Sequence, residues 1–241
     1  MKRLLLSIVG IITWPRFVWT NKSVVAGMDV LKKLPATNVI FVSNHQTYFA
    51  DVMLMYHAFS AAKWKMKRGI RNPFYLIAPK TNVYYIAAAE TMQSGFLPKL
   101  FAYAGAVSVQ RTWREAGKDV KRELNPQDPE NIGKAICSGW LITFPQGTTK
   151  PFEQGRKGTA HLIKEHRPIV IPVTIDGFRR AFDKKGLKIK KRDSRLLMKF
   201  YEPLEIDYDA PVDDVLNQIM YAIRQSPEFM KVNLSRDENE K

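Results

Sequence analysis

Cysteine is almost missing from this chain: Cys137 is the single one among 241 residues. No intrachain disulfide can form, and no C-x-x-C redox or metal motif exists. In its Ile-Cys-Ser-Gly setting Cys137 reads as a small buried hydrophobe rather than a nucleophile. The pattern G-x-S-x-G is also missing, which removes the usual serine elbow of hydrolases. No apolar run reaches the about 20 residues that span a bilayer. The basic, apolar start is followed by Trp14-Pro15-Arg16-Phe17 rather than a small-x-small cleavage site, so it does not read as a signal peptide. There is no internal repeat and no low-complexity linker. His57, His161 and His166 have no acidic companions at metal-ligand spacing, so they read as structural and no metal is expected. Acidic residues are few, 23 against 38 Lys and Arg, and the net charge is +15. That balance points to an anionic partner: nucleic acid, an anionic lipid surface or a phosphorylated substrate.

What is present suits one globular domain with a terminal anchor, with 45% apolar residues to build a core. Residues 1–22 carry Trp14, Phe17 and Trp19 among Lys2, Arg3, Arg16 and Lys22. This composition predicts an amphipathic helix lying in the headgroup region; the other reading is a helix docked on the protein's own core. Residues 23–232 form the domain, and 233–241 a charged, flexible tail. Short β-branched runs predict strands at 39–43, 83–87, 106–109, 140–144, 169–174 and 196–201. Pro172 places the fifth of these at a sheet edge or strand end. Helices are predicted at 51–60, 96–103, 128–138, 158–164 and 213–224. This alternation predicts an α/β fold with a mixed, largely parallel sheet flanked by helices. In such sheets, sites gather on loops leaving strand C-termini. Asn44-His45, Gln110-Arg111 and 145–150 all sit there.

Three constellations carry chemistry. In Ser43-Asn-His-Gln-Thr-Tyr-Phe-Ala-Asp51, an imidazole follows a strand and a carboxylate follows it. The ring can take a proton from a hydroxyl, and the carboxylate can fix its tautomer. With no protein nucleophile beside them, the substrate's own hydroxyl would attack. Taken alone, such a pair reads more readily as a helix-capping histidine. In Phe144-Pro-Gln-Gly-Thr-Thr-Lys150, Gly147 permits a sharp turn, and Thr148, Thr149, Lys150 and the backbone amides can hold an anion. A plain Pro-Gly turn is the equal reading of this heptapeptide. Arg111, with Trp113 and Arg114, suits bidentate phosphate binding or a solvated loop.

In this order the three segments resemble the lysophospholipid acyltransferase family, which includes 1-acylglycerol-3-phosphate acyltransferases. That family has Asn-His-x-Ser-x-x-Asp, a Gly…Arg segment, Phe-Pro-Glu-Gly-Thr-Arg-Ser and an apolar strand with a central Pro. Here stand Asn44-His45-Gln46-Thr47…Asp51, Gly105…Arg111, Phe144 to Lys150, and Ile169-Val-Ile-Pro-Val173, over roughly residues 25 to 205. The resemblance implies a glycerophosphate acyltransferase-like fold and an O-acyltransferase. His45 would deprotonate the acceptor and Asp51 would orient His45. Asn44, Thr47, Arg111, Gln146, Gly147, Thr148, Thr149 and Lys150 would meet the substrate. The partners it implies are a lysolipid acceptor, an acyl-carrier-protein or coenzyme A thioester, and an anionic membrane surface at the cytoplasmic face. No metal or organic cofactor is implied.

The chain departs from the family pattern at three places. Five residues, 46 to 50, separate His45 from Asp51 where the family has four, and the extra one falls after Thr47. Gln146 stands for Glu and Thr149 for Arg. Ala89-Glu90 lacks a family Lys. Two cations expected near a phosphate are thus missing, which opens the alternative of a lyso-aminolipid acceptor. Lys63 to Arg68 with Arg71, and Lys184 to Arg192, form two basic clusters that lipid headgroups or an acidic carrier could meet. A basic nucleic-acid-binding protein is the alternative from another class, although no known nucleic-acid motif is present.

Overall fold

The computed structural model describes residues 2–80, 82–89, 103, 105–109, 114–115, 118–119 and 127–230. The expected helix at 96–103 (Tyr103 apart), Arg111 and the charged tail lie outside these residues. Among the described residues, helices α1 (Lys2–Val18), α2 (Met28–Lys33), α3 (Ala50–Lys63), α4 (Gln127–Ser138), α5 (Lys157–His166), α6 (Phe178–Ala181) and α7 (Val212–Ala222) surround a seven-stranded sheet. Its strands are β1 (Lys22–Ala26), β2 (Val39–Ser43), β3 (Val83–Ala88), β4 (Ala106–Val109), β7 (Trp140–Thr143), β8 (Ile169–Asp176) and β9 (Arg195–Phe200). The short pair β5 (Arg114–Glu115) and β6 (Lys118–Asp119) forms a separate antiparallel ribbon. The sheet order is β1-β9-β8-β2-β7-β3-β4, parallel throughout except where β8 meets β9.

The unbroken apolar run of β2 follows from its place at the middle of the sheet, where a parallel strand is covered on both faces. Val39 and Phe41 face one core, and Ile40 and Val42 face the other. The first core is filled by α1, α2 and α3. There Phe41 lies 4.4 Å from Phe59 and 5.2 Å from the fully buried Trp140, ring centre to ring centre. The second core lies under α4, α5 and α7, with Ile136, Ile163 and Ile219 wholly buried.

Three expectations are corrected. Strand β8 is interior, between β2 and β9. Pro172 is tolerated because its carbonyl, and so its missing N–H, faces the point where β9 runs out: Tyr201 N donates to Pro172 O just past the last β9 pair. Cys137 is exposed, because helix α4 turns that position outward. Lys22 begins β1 instead of closing an anchor. The sequence reading also missed β1, α2, α6 and the two-residue strands β5 and β6.

Helix α1 answers both readings of the N-terminus. Leu6, Val9, Thr13 and Phe17 recur at helical spacing and are buried against the domain. Leu4, Ile8, Ile11, Ile12 and, just past its end, Trp19 are exposed, as are Phe74 and Ile77 nearby. Among the described residues, no helix is long and apolar enough to cross a membrane.

The contact of α1 with α3 is polar at its centre. His57, fully buried, has Nε2 at 2.9 Å from Thr13 Oγ1 and Nδ1 at 2.9 Å from Tyr75 Oη. A neutral imidazole donates at one nitrogen and accepts at the other, so one of the two hydroxyls donates to His57 and the other is left to donate to its own neighbouring carbonyl, Val9 O for Thr13 or Ile70 O for Tyr75. Burial pushes the His57 pKa down to about 3. The folded protein therefore refuses a proton that the unfolded chain accepts below about pH 6.5. His57 stabilises fully above that pH and loses its contribution as pH falls toward 3. Urea unfolding across pH 7 to 4 is expected to show an acid slope steeper, by up to about 1.4 kcal/mol per pH unit, than that of His57→Gln. Equal slopes would show that His57 is not the group excluded from protonation.

Candidate active site

Strands β2, β7 and β8 run parallel, so their C-terminal ends open on one rim of the sheet. The segments that follow them carry His45, Gly147 and, in α6, Arg179, respectively.

The β2 loop folds around one carboxylate. Asp51, with no exposed surface, sits in the first turn of α3, where the helix dipole favours an anion. Its Oδ2 accepts from Gln46 N at 2.6 Å and Thr47 N at 3.0 Å, and its Oδ1 from Thr47 Oγ1 at 2.7 Å. His45 Nδ1 lies 2.9 Å from the same Oδ2. A carboxylate so placed accepts from Nδ1–H, which leaves Nε2 as the basic nitrogen. The ring is held flat on Phe144, with centres 3.7 Å apart and planes 19° from parallel. Its side chain keeps 13% of its surface exposed, so a reactant can reach it.

The extra residue of the His–Asp spacing is absorbed between 47 and 51. Tyr48 N and Phe49 N donate to Lys184 O and Lys185 O, so this longer turn is pinned by the loop after α6. Gly186, at φ 78°, makes the approach possible: a Cβ there would stand 2.5 Å from Ala50 N.

Several expected substrate contacts are scaffold. Asn44 is buried and exchanges two hydrogen bonds with the backbone of Ile175, at 2.9 and 2.8 Å. Thr47, buried as well, holds Asp51. Gln146 is only 2% exposed, and its amide donates to Glu153 O and Gln225 Oε1. All three side chains thus make hydrogen bonds that support the loops. Gly147 makes the turn at φ 63°. Thr148 Oγ1 accepts from Lys150 N, and the Lys150 ammonium pairs with Glu153 at 3.1 Å in the open. Thr149 alone of this heptapeptide lines the cavity beside His45.

The sequence reading missed Gln46, Phe144 and Arg179 as members of the site. Gln46 Oε1 accepts from Phe178 N at 2.9 Å and ties the His45 loop to α6. Half-buried Arg179 donates through one terminal nitrogen to Thr149 O and, at 3.4 Å, to His45 O. Burial draws its pKa down while Asp51 and Asp176 pull it back up. Phe144 was visible in the motif; Arg179 lies in a stretch that gives no local signal. Among the described residues, no group of His, Cys, Asp and Glu could hold a metal ion.

A family model described as Acyltransferase matches residues 23–176, more than half of the chain. No curated protein matches the sequence. Among solved structures, the chain is similar to the crystal structure of the 1-acyl-sn-glycerophosphate (LPA) acyltransferase, PlsC, from Thermotoga maritima. The TM-score is 0.56 at 15% identity, covering 95% of this chain and 78% of that one, a likeness of fold.

The division between scaffold and surface is measurable. Asn44→Ala leaves the Ile175 N–H unpaired in the interior and its C=O with only the longer 3.3 Å bond from Gln46 Nε2, and is expected to lower unfolding stability by about 1–3 kcal/mol. Lys150→Ala, at an exposed ion pair, is expected to stay within about 0.5 kcal/mol. Urea titration of both variants checks the contrast, and equal effects would refute it.

Proposed function

Because the chain belongs to the acyltransferase family, whose model spans residues 23–176, we propose that it transfers a fatty acyl group from an acyl-carrier-protein or coenzyme A thioester to a lysolipid hydroxyl, with 1-acylglycerol-3-phosphate as the leading acceptor. The observation that supports this most directly is the 2.9 Å contact between His45 Nδ1 and a fully buried Asp51. His45 Nε2 takes the proton of the acceptor hydroxyl as its oxygen attacks the thioester carbonyl. The imidazolium that forms is stabilised by Asp51. When the carbon–sulfur bond breaks, the leaving thiolate recovers that proton, so an ester and a thiol are the products.

The reaction takes place at a membrane surface in this reading. Exposed Leu4, Ile8, Ile11 and Ile12 on α1, with Trp19, Phe74 and Ile77, form the apolar face. Exposed Lys65, Lys67, Arg68 and Arg71 lie close by, linked to α1 through the bond from Trp14 Nε1 to Ile70 O. Helix α1 is about 25 Å long, short of the roughly 30 Å hydrocarbon thickness, and would lie in the interface. We place this surface at the cytoplasmic leaflet, where acyl thioesters are made. Family membership and the apolar face favour this reading over the nucleic-acid-binding alternative.

His45→Ala is expected to lower acyl transfer from a labelled thioester by about 10³-fold or more, and Asp51→Asn by roughly 10²–10⁴-fold. Undiminished transfer by His45→Ala would end the proposal. Ile8→Glu with Ile12→Glu changes only exposed positions, so stability is expected to hold within about 0.5 kcal/mol. Binding to anionic vesicles is expected to fall at least about tenfold in sedimentation assays. Unchanged vesicle binding would remove α1 from the membrane contact.

A further inference from the structure

The motif loop carries little positive charge into the site, yet the site is not short of it. A cavity of about 260 Å³ lies beside the His45 loop, lined by Gln46, Thr149, Arg179, Phe182, Asp183, Lys184 and Lys190. Three of these side chains are cationic and one is anionic. Asp183 is already committed: its Oδ1 accepts from Leu187 N at 2.8 Å and Lys188 N at 2.9 Å. The positive charge here comes from α6 and the loop after it. The lysine-rich segment that reads as a surface patch in the sequence is folded onto the site as its wall.

Arg179 is set up for a ligand. Gly177, at φ 87°, turns the chain sharply out of β8, and a Cβ there would strike Arg195 O at 2.1 Å. Gln46 holds the start of α6 against the His45 loop. One terminal nitrogen of the guanidinium is spent on Thr149 O and His45 O. Among the described residues, no acceptor is hydrogen-bonded to Nε or to the other terminal nitrogen. Those two nitrogens form the edge that suits a bidentate oxyanion. Lys190 Nζ is anchored on the backbone carbonyl of Arg179 at 3.2 Å, which holds the second cation against α6.

We propose that this cavity binds the phosphate of the lysolipid acceptor, with Arg179 as its main ligand and Lys184 and Lys190 beside it. The proposal rests on the acyl-transfer reading for the rest of the substrate. Arg179 thus supplies, from a different strand end, the cation that Thr149 does not. The phosphate held there would lie next to the His45 loop, because the same guanidinium donates to the His45 backbone carbonyl. A phosphate-free aminolipid acceptor would leave three cations facing it without an anion.

The test is steady-state kinetics of wild type, Arg179→Ala and Arg179→Lys with two acceptors, lysophosphatidate and monoacylglycerol. The preference for lysophosphatidate, as a ratio of kcat/KM values, is expected to fall roughly 10- to 100-fold in Arg179→Ala. The loss appears in the acceptor KM, and Arg179→Lys recovers part of it. An equal loss for both acceptors overturns the proposal, since Arg179 would then act only by positioning the His45 loop. A rise in the thioester KM with an unchanged preference also overturns it, because the cavity would then hold a phosphate of the donor. A second measurement separates this idea from the acyl-transfer reading. Calorimetric titration of the His45→Ala protein with glycerol 3-phosphate is expected to show binding that Arg179→Ala weakens by a similar factor. Such binding by a protein whose wild type turns over neither acceptor would support the phosphate site while ending the acyl-transfer reading. Binding that ignores Arg179 would overturn the phosphate site alone.

Discussion

One buried carboxylate organises the active rim. Asp51 accepts from two backbone amides, a hydroxyl and an imidazole, all within a loop of seven residues. A charge with no exposed surface is tolerated only if its lone pairs are used, and here they are. The same bonds force the chain from 45 to 51 into a tight turn, and that turn sets the height and tilt of His45. Placing the acid in the first turn of α3 adds the helix dipole to the same purpose. The geometry of the His45–Asp51 pair and the folding of its loop are therefore one constraint.

That loop is not self-supporting. Asn44 ties it to β8, Gln46 to α6, and the amides of Tyr48 and Phe49 to the lysine-rich loop. Phe144 presses on the imidazole from the β7 side. Three strand ends thus meet at one residue, as the parallel arrangement of β2, β7 and β8 allows. The lysine-rich loop is held in turn by α1, whose Arg16 donates to Leu187 O at 2.6 Å. A helix with one face in the core and one apolar face outward is mechanically continuous with the wall of the cavity. Events at the apolar surface and at the cavity share this loop, so the two ends of a lysolipid would meet connected parts of the protein.

Much was legible locally. The β2 strand and the turn at Gly147 are short-range signals, a β-branched run and a Pro-Gln-Gly break, whereas the His45–Asp51 pair stands out only in the company of the other segments. The reading failed where identity and environment part company. The family resemblance implies Asn44, Thr47 and Gln146 as substrate contacts, and in the fold each also has a partner inside the protein that the sequence does not report. Pro172 looks like an edge residue, but the neighbouring strand simply ends where its missing donor points. Lys184 to Arg192 looks like an outward basic cluster for lipid headgroups or an acidic carrier, because nothing nearby in the chain reports that Phe182 is buried and Gly186 packs on Ala50.

By itself the sequence determined the α/β alternation, the pairing of His45 with Asp51, and an apolar first helix. These rest on periodicity and on residues less than ten positions apart. Tertiary structure alone decided which polar groups face a ligand and which are consumed by the scaffold. It also decided that the site's positive charge comes from Arg179, 134 residues beyond His45. The physical reason is that hydrogen-bond satisfaction is a property of neighbours in space. A parallel sheet brings together strand ends that the chain keeps far apart.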